Sequence, residues 1–201
     1  MHTNCKLLYN KYVLPLLKGG MRILEIGPDS FPSTYKNLTM NITVQWDTLD
    51  VKYNPHLTYP DSSEYSFPIA DDSYDVVLSA NVIEHVRKPW VWLPELTRVT
   101  KPGGLVVTMC PVSWVYHEAP IDCWRIYPEG MNALYDHASL TPILSKWESL
   151  ETPHFRRYLP GVSRENQSWK LRLTYSLLGI IGFPVERSYD TVAVGRKGPT
   201  R

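Results

Sequence analysis

Surplus charge is what this chain most conspicuously lacks: 21 Lys and Arg stand against 20 Asp and Glu over 201 residues, a net charge of +1. So even a balance gives no strong field to draw the protein to nucleic acid or anionic lipid, and no nucleic-acid partner is expected. Cysteine is scarce as well. Cys5, Cys110 and Cys123 are odd in number, far apart and without a CxxC pair, which excludes a disulfide framework or zinc ribbon and favours free thiols in a reducing, cytoplasmic setting. Long apolar runs are missing. The longest approach, residues 173–185, holds two glycines and falls short of the roughly 18 apolar residues a span needs, so no membrane span is expected. The first twenty residues mix Lys6, Lys11 and Lys18 with apolar ones, without the apolar core and cleavage site of a signal peptide. No histidine, cysteine and carboxylate set has metal-ligand spacing, and no metal is expected. Glycine is missing where it would matter most: in "RILEIGPDSFPS", residues 22–33, none follows Gly27.

What is present is alternation. Residues 7–17 and 90–100 carry apolar side chains at helical spacing, and "RILEI", "ITVQWDTLDV", "SYDVVLSANV" and "LVVTMCP" read as strands, the third with Val76–Leu78 apolar on both faces. Strand and helix in turn predict an α/β fold: a Rossmann-like, doubly wound parallel sheet with helices on both faces. Residues 128–138 and 170–181 read as further helices, and "YDTVAVGRK" as a final strand. The length fits one domain, residues 1–201, with a lid or acceptor-binding insertion at about 152–186, rich in turn formers and charge.

In open α/β sheets ligands bind beyond the carboxyl ends of the strands. Glu25 lies near the end of the first strand and Asp50 near the end of the second, with Asp61 or Glu64 before the third. A carboxylate after the second strand can accept two hydrogen bonds from a ribose diol, which makes Asp50 the leading candidate. A turn aspartate is the alternative, and Asp47 competes with it. Gly27 is placed to let a ligand approach the backbone.

Three further pieces, "FPIADDSYDVV", "NVIEHV" and "ELTRVTKPGGLVV", together resemble the middle of the class I S-adenosylmethionine-dependent methyltransferases, in the group that methylates small molecules. The resemblance runs from Arg22 to about Leu140 and again at "YDTVAVGRK". It implies a seven-stranded sheet whose last strand is antiparallel, with S-adenosylmethionine across the first, second and fourth strands and S-adenosylhomocysteine as product. Glu25, Gly27, Pro28 and Asp29 would then border the methionine part of the cofactor. Asp50 would hold the ribose hydroxyls, and Ser79, Ala80 and Asn81 the methionyl amino group. Two departures stand out. Asp29 and Phe31 replace the family's second and third loop glycines, and the acid that contacts adenine falls at Ser63, leaving Asp61 or Glu64 to serve by a shift of register.

The segment "YHEAPIDCWRIYPEGM" resembles one found in bacterial methyltransferases, which implies an acceptor pocket lined by His117, Asp122, Trp124 and Arg125. The structural alternative pairs Asp122 with Arg125 to hold a loop and packs Trp124 in the core. Methyl transfer is an in-line displacement that needs alignment and exclusion of water, and a base only where the acceptor loses a proton. His117 is the first candidate base and His85 the second, with packing an equal alternative for His85. The expected activity is methyl transfer to a small molecule or sugar, at oxygen. The alternative is a methyltransferase-like protein that binds or partners without catalysis. The 170–181 helix could cover the site, pair with a second subunit as a homodimer, or touch a membrane surface.

Overall fold

The computed structural model describes residues 3–60, 62–114, 116, 120–150, 169–181 and 189–199. Asp61, His117 and most of the expected lid, 152–168 and 182–186, lie outside the described residues.

A helix α1 (Thr3–Leu8) continues as a π turn (Tyr9–Val13) and a 3-10 turn (Leu14–Leu16) before β1 (Arg22–Ile26), α2 (Thr34–Leu38) and β2 (Gln45–Leu49). Then come β3 (Tyr74–Ala80), a 3-10 turn at Ile83–His85, α3 (Pro89–Val99) and β4 (Thr100–Pro111). The chain ends with α4 (Pro128–His137), β5 (Leu140–Glu148), α5 (Trp169–Ile180) and β6 (Asp190–Lys197). The strands form one sheet in the order β2-β1-β3-β4-β6-β5. β1 pairs parallel with β2 and β3, and β3 with β4, while β6 runs antiparallel to both β4 and β5.

Strand order therefore reverses at β1, which has β2 on one side and β3 on the other. That reversal opens a crevice at the carboxyl ends of β1 and β3. Side chains along each strand alternate between two cores. Leu24, Val77 and Val106 pack with Trp92, Leu93, Leu96, Met131 and Tyr135 beneath α3 and α4. Ile23, Val76, Leu78 and Val107 pack with Leu8, Tyr9 and Val13 of the N-terminal helix on the opposite face.

The antiparallel last strand agrees with expectation, but among the described residues the sheet has six strands, not seven. A single parallel bridge, Leu49 to Tyr59, stands where a further edge strand would follow β2. The Tyr59 amide donates to Thr48 O at 3.0 Å and the Ser62 amide to Asp50 O at 3.3 Å. The reason is spatial. Nine residues separate the bridged pair, fewer than the dozen or so a helical crossover needs, and Pro60 has no amide to extend the ladder. Trp46 and Trp92 are buried, whereas Trp90, Trp147 and Trp169 are exposed.

Candidate functional site

Register brings the candidate residues together. Ile26 lies opposite Leu49 on one side and Ser79 on the other, so the next residues, Gly27, Asp50 and Ala80, stand side by side at the mouth of the crevice. The Gly27 amide donates to Leu49 O at 2.9 Å, and the Asn81 amide to Met109 O at 2.8 Å. Gly27 has φ +68°, and a β-carbon there would sit 2.5 Å from Val82 Cγ2. Glycine is thus required twice, for a left-handed backbone and for close packing on Val82. Val82 fills the side of Gly27 on which a β-carbon would point.

The loop after β1 is bound up in itself. Asp29 accepts from the Thr34 amide at 2.9 Å and from Thr34 Oγ1 at 2.7 Å, and Ser30 Oγ donates to it at 3.2 Å. Burial opposes its charge, but these bonds prevail and hold the carboxyl below its ordinary range. Asp29 keeps negative φ, so it does not copy the conformation glycine would allow and instead clasps the start of α2. Phe31 lies against His56 at 5.6 Å between ring centres, joining the loops that follow β1 and β2.

Glu25 is buried beneath this loop. Its Oε2 accepts from Ser33 Oγ at 2.5 Å and from Trp46 Nε1 at 2.8 Å. Burial pushes its carboxyl up to about 7 despite both donors. Ser33 in turn caps α2 by accepting from the Lys36 amide at 3.1 Å, so Glu25 fastens β1 to α2 and β2. Asp50 Oδ1 accepts from the Lys52 amide at 2.9 Å, the turn contact anticipated as its alternative. Its competitor Asp47 is a structural residue bonded to Arg22 at 2.8 Å and to the Tyr74 hydroxyl at 2.9 Å.

The turn after β3 differs. Asn81 has φ +56°, and both atoms of its amide, with Ser79 Oγ and Glu84 Oε2, are buried without a hydrogen-bond partner. Burial pushes the Glu84 carboxyl up to about 8, partly offset by its own backbone, Arg125 and Asn81. Buried polar groups in native proteins are almost always paired, so these atoms together mark a candidate polar site. Sequence reasoning missed Glu84. Its place beside His85 in "IEHV" was the available signal, but a charged residue in a turn reads as exposed until the packing is seen.

The "IEHV" and "IDCWR" motifs prove to be one unit. The Cys123 and Trp124 amides donate to Glu84 O at 2.8 and 3.3 Å. Trp124 Nε1 donates to Val86 O at 2.8 Å, and His85 Nδ1 bonds to Ile121 O. A ring nitrogen on a carbonyl must carry the proton, so Nδ1 is the protonated position in neutral His85, and Nε2 lies 3.9 Å from Glu84 Oε1. Arg125 Nη2 donates to Asp122 Oδ2 at 2.6 Å, and Nη1 donates to Asp122 Oδ1 and, at 2.8 Å, to Trp124 O. Trp124 meets Trp90 edge-on at 6.0 Å. These contacts match the structural alternative for Asp122, Trp124 and Arg125, and they wall the crevice near Glu84. An open cavity of about 810 Å³ lies at the other end of the sheet, but its Asp71, Asp72, Arg98 and Lys197 already pair with one another.

Residues 42–108 match the family described as "Methyltransferase domain". A methyltransferase of Mycolicibacterium vanbaalenii whose function is uncharacterised is 37% identical over 99 residues, 45% of this chain and 39% of that protein. Over this middle segment the chain is similar to methyltransferase domains. A methyltransferase structure from Archaeoglobus fulgidus superposes with a TM-score of 0.61 at 15% identity, over 96% of this chain and 93% of that one. Phosphoethanolamine N-methyltransferase 2 of Haemonchus contortus, solved with S-adenosylmethionine, superposes at 0.60 and 15% identity, over 97% of this chain and 52% of that one. The match to the M. vanbaalenii methyltransferase spans about two fifths of that relative's length. The similarity suggests a chemical counterpart for the buried polar groups after β3. The methionyl end of S-adenosylmethionine carries an ammonium and a carboxylate, and Ser79, Asn81 and Glu84 offer both donors and acceptors.

Proposed function

We propose that this chain moves a methyl group from S-adenosylmethionine to a hydroxyl of a small-molecule or sugar acceptor. The observation that carries this reading is the buried polar set of Ser79, Asn81 and Glu84 at the switch point, with β1 between it and Asp50. When bound, the cofactor supplies an electrophilic methyl on a sulfonium. Asp50 takes the ribose hydroxyls, and the backbone of Gly27, Pro28 and Asp29 borders the methionine part above Glu25. Ser79, Ala80 and Asn81 receive the amino end. His85 stands at the acceptor side with Nδ1 fixed on Ile121 O, which leaves Nε2 as the nitrogen able to take the hydroxyl proton. His117 is the other candidate for that role, and Asp61 the candidate for adenine. Asp122, Trp124 and Arg125 shape the acceptor wall. Among the described residues no helix is long and apolar enough to cross a membrane, and three unpaired thiols support a reducing, cytoplasmic setting.

Calorimetric titration with S-adenosylmethionine, S-adenosylhomocysteine and NADH tests the reading. Micromolar binding of both adenosyl ligands and none of NADH is expected. No adenosyl binding would instead favour a chain that keeps the fold without catalysis, a second reading supported by the self-bonded Asp29 loop.

A further inference from the structure

Three aromatic rings gather at the carboxyl end of the sheet, beside the crevice. Trp147 of β5 lies opposite Thr191 of β6, and Thr191 opposite Cys110 of β4, so the three side chains share one face. Cys110 belongs to the core beneath α3 and α4, with its Sγ 3.6 Å from Ile126 O, which fixes that face. Tyr127 follows at once, before the first turn of α4. Its ring centre is 5.8 Å from that of Trp147, and Trp147 lies 4.6 Å from Tyr189 at an interplanar angle of 30°. Their frame is well tied. Tyr189 O accepts from the Val112 and Ser113 amides at 3.1 Å, its own amide donates to Ser113 Oγ at 2.7 Å, and Ser145 Oγ joins β5 to Pro128 O at 3.3 Å. Yet Tyr127 is 51% exposed and Trp147 47%. Thr191 beside them is fully buried, and its Oγ1 has no hydrogen-bond partner.

We propose, on the methyl-transfer reading of the crevice, that Tyr127, Trp147 and Tyr189 with Thr191 beside them form an acceptor subsite that holds a sugar ring. A sugar carries C–H groups on the faces of its ring and hydroxyls around the rim. Tyrosine and tryptophan pair an apolar face with a polar tip and so match both parts. The Thr191 hydroxyl can donate and accept, and a sugar hydroxyl meets it directly or through one water. A purely aromatic acceptor would leave Thr191 Oγ1 unpaired, which is costly for a buried group. Lys146, the cation next to Trp147, points to the opposite face of β5, which disfavours an anionic acceptor. Position links this subsite to the crevice. The Asn81 amide donates to Met109 O at 2.8 Å, one residue before Cys110, so the row Cys110, Thr191 and Trp147 stands level with the turn after β3. Two strand spacings, about 10 Å, separate Cys110 from Trp147, within the reach of one acceptor.

The test titrates the full chain, with S-adenosylhomocysteine present, against a panel of methyl glycosides of hexoses, deoxyhexoses and hexosamines and against simple phenols, reading tryptophan fluorescence. Saturable binding of at least one glycoside is expected. Trp147→Ala should weaken it by about tenfold through the lost ring face. Thr191→Val keeps the shape of the side chain and removes its hydroxyl, and should weaken glycoside binding about fivefold without lowering the melting temperature. S-adenosylhomocysteine, titrated alone by calorimetry, should bind the wild type and both variants equally. That pattern supports the subsite. Binding of S-adenosylhomocysteine with no response to any glycoside, or with glycoside binding indifferent to both substitutions, overturns the subsite and leaves the cofactor reading standing. Phenols that bind in place of every glycoside overturn the carbohydrate assignment. A wild type that binds no S-adenosylhomocysteine overturns both readings.

Discussion

The loop after β1 and the turn after β3 meet at one crevice, yet they treat their polar groups in opposite ways. In the loop, Asp29 is bonded to Thr34 and Ser30, and Glu25 to Ser33 and Trp46. In the turn, Ser79 Oγ, the Asn81 amide and Glu84 Oε2 are buried without a well-formed hydrogen bond among the described residues, with Asn81 near enough to Glu84 to lower its carboxyl. The loop is bonded within itself, while the turn leaves polar atoms that the proposed cofactor would meet. A worn glycine pattern on the self-satisfied side therefore says little about the side that waits for a ligand.

The largest expected effect contrasts the two buried carboxyls, because Glu25 and Glu84 are raised from 4.5 to about 7 and about 8. Each binds its proton more tightly folded than unfolded, so stability is fullest below pH 4.5 and declines as pH rises toward those values. The decline should reach roughly 3 kcal/mol for each group. Denaturant titrations from pH 5 to 8 should follow it, and Glu84→Gln should remove the part nearest pH 8. A flat profile in the wild type would break the contrast.

Next, Gly27→Ala sets a methyl against Val82 on a left-handed backbone and should cost about 2 kcal/mol. Adding Val82→Ala should recover about half of it, measured as a double-mutant cycle. No recovery would mean that backbone strain alone requires the glycine. Asp50→Ala should then weaken S-adenosylhomocysteine binding by about tenfold, corresponding to about 1.4 kcal/mol, with little change in melting. Unchanged affinity would leave Asp50 as a turn residue only. The smallest effect is Asp29→Ala, expected to cost about 1 kcal/mol of stability through the lost clasp on Thr34.

Much of this architecture was legible in the sequence because it rests on apolar periodicity. Val76–Leu78 and Val106–Val107 announce strands buried on both faces, and the alternation with helices fixes a mostly parallel sheet. The reduced edge strand was not legible, since the resemblance implies its presence while the spacing between Leu49 and Tyr59 leaves no room for it. Asp50 was placed at the crevice by its position after the second strand, Ser79 and Asn81 were named through the family resemblance, and Asp122 with Arg125 was foreseen as a pair. Glu84 and the bonds that Asp29 makes to Thr34 were hidden because burial and hydrogen-bond partners arise from contacts the sequence does not show, such as Glu84 O with Cys123.

Calorimetric titration of S-adenosylhomocysteine into Asn81→Gly and Asp29→Ala proteins, beside the wild type, measures the contrast most directly. Glycine keeps the left-handed backbone of Asn81 and removes only its orphaned amide. The account expects Asn81→Gly to lose about tenfold or more in affinity without a fall in melting temperature, and Asp29→Ala to melt lower with affinity nearly intact. Wild-type affinity in Asn81→Gly, with loss in Asp29→Ala, would contradict it and return the cofactor to the loop after β1.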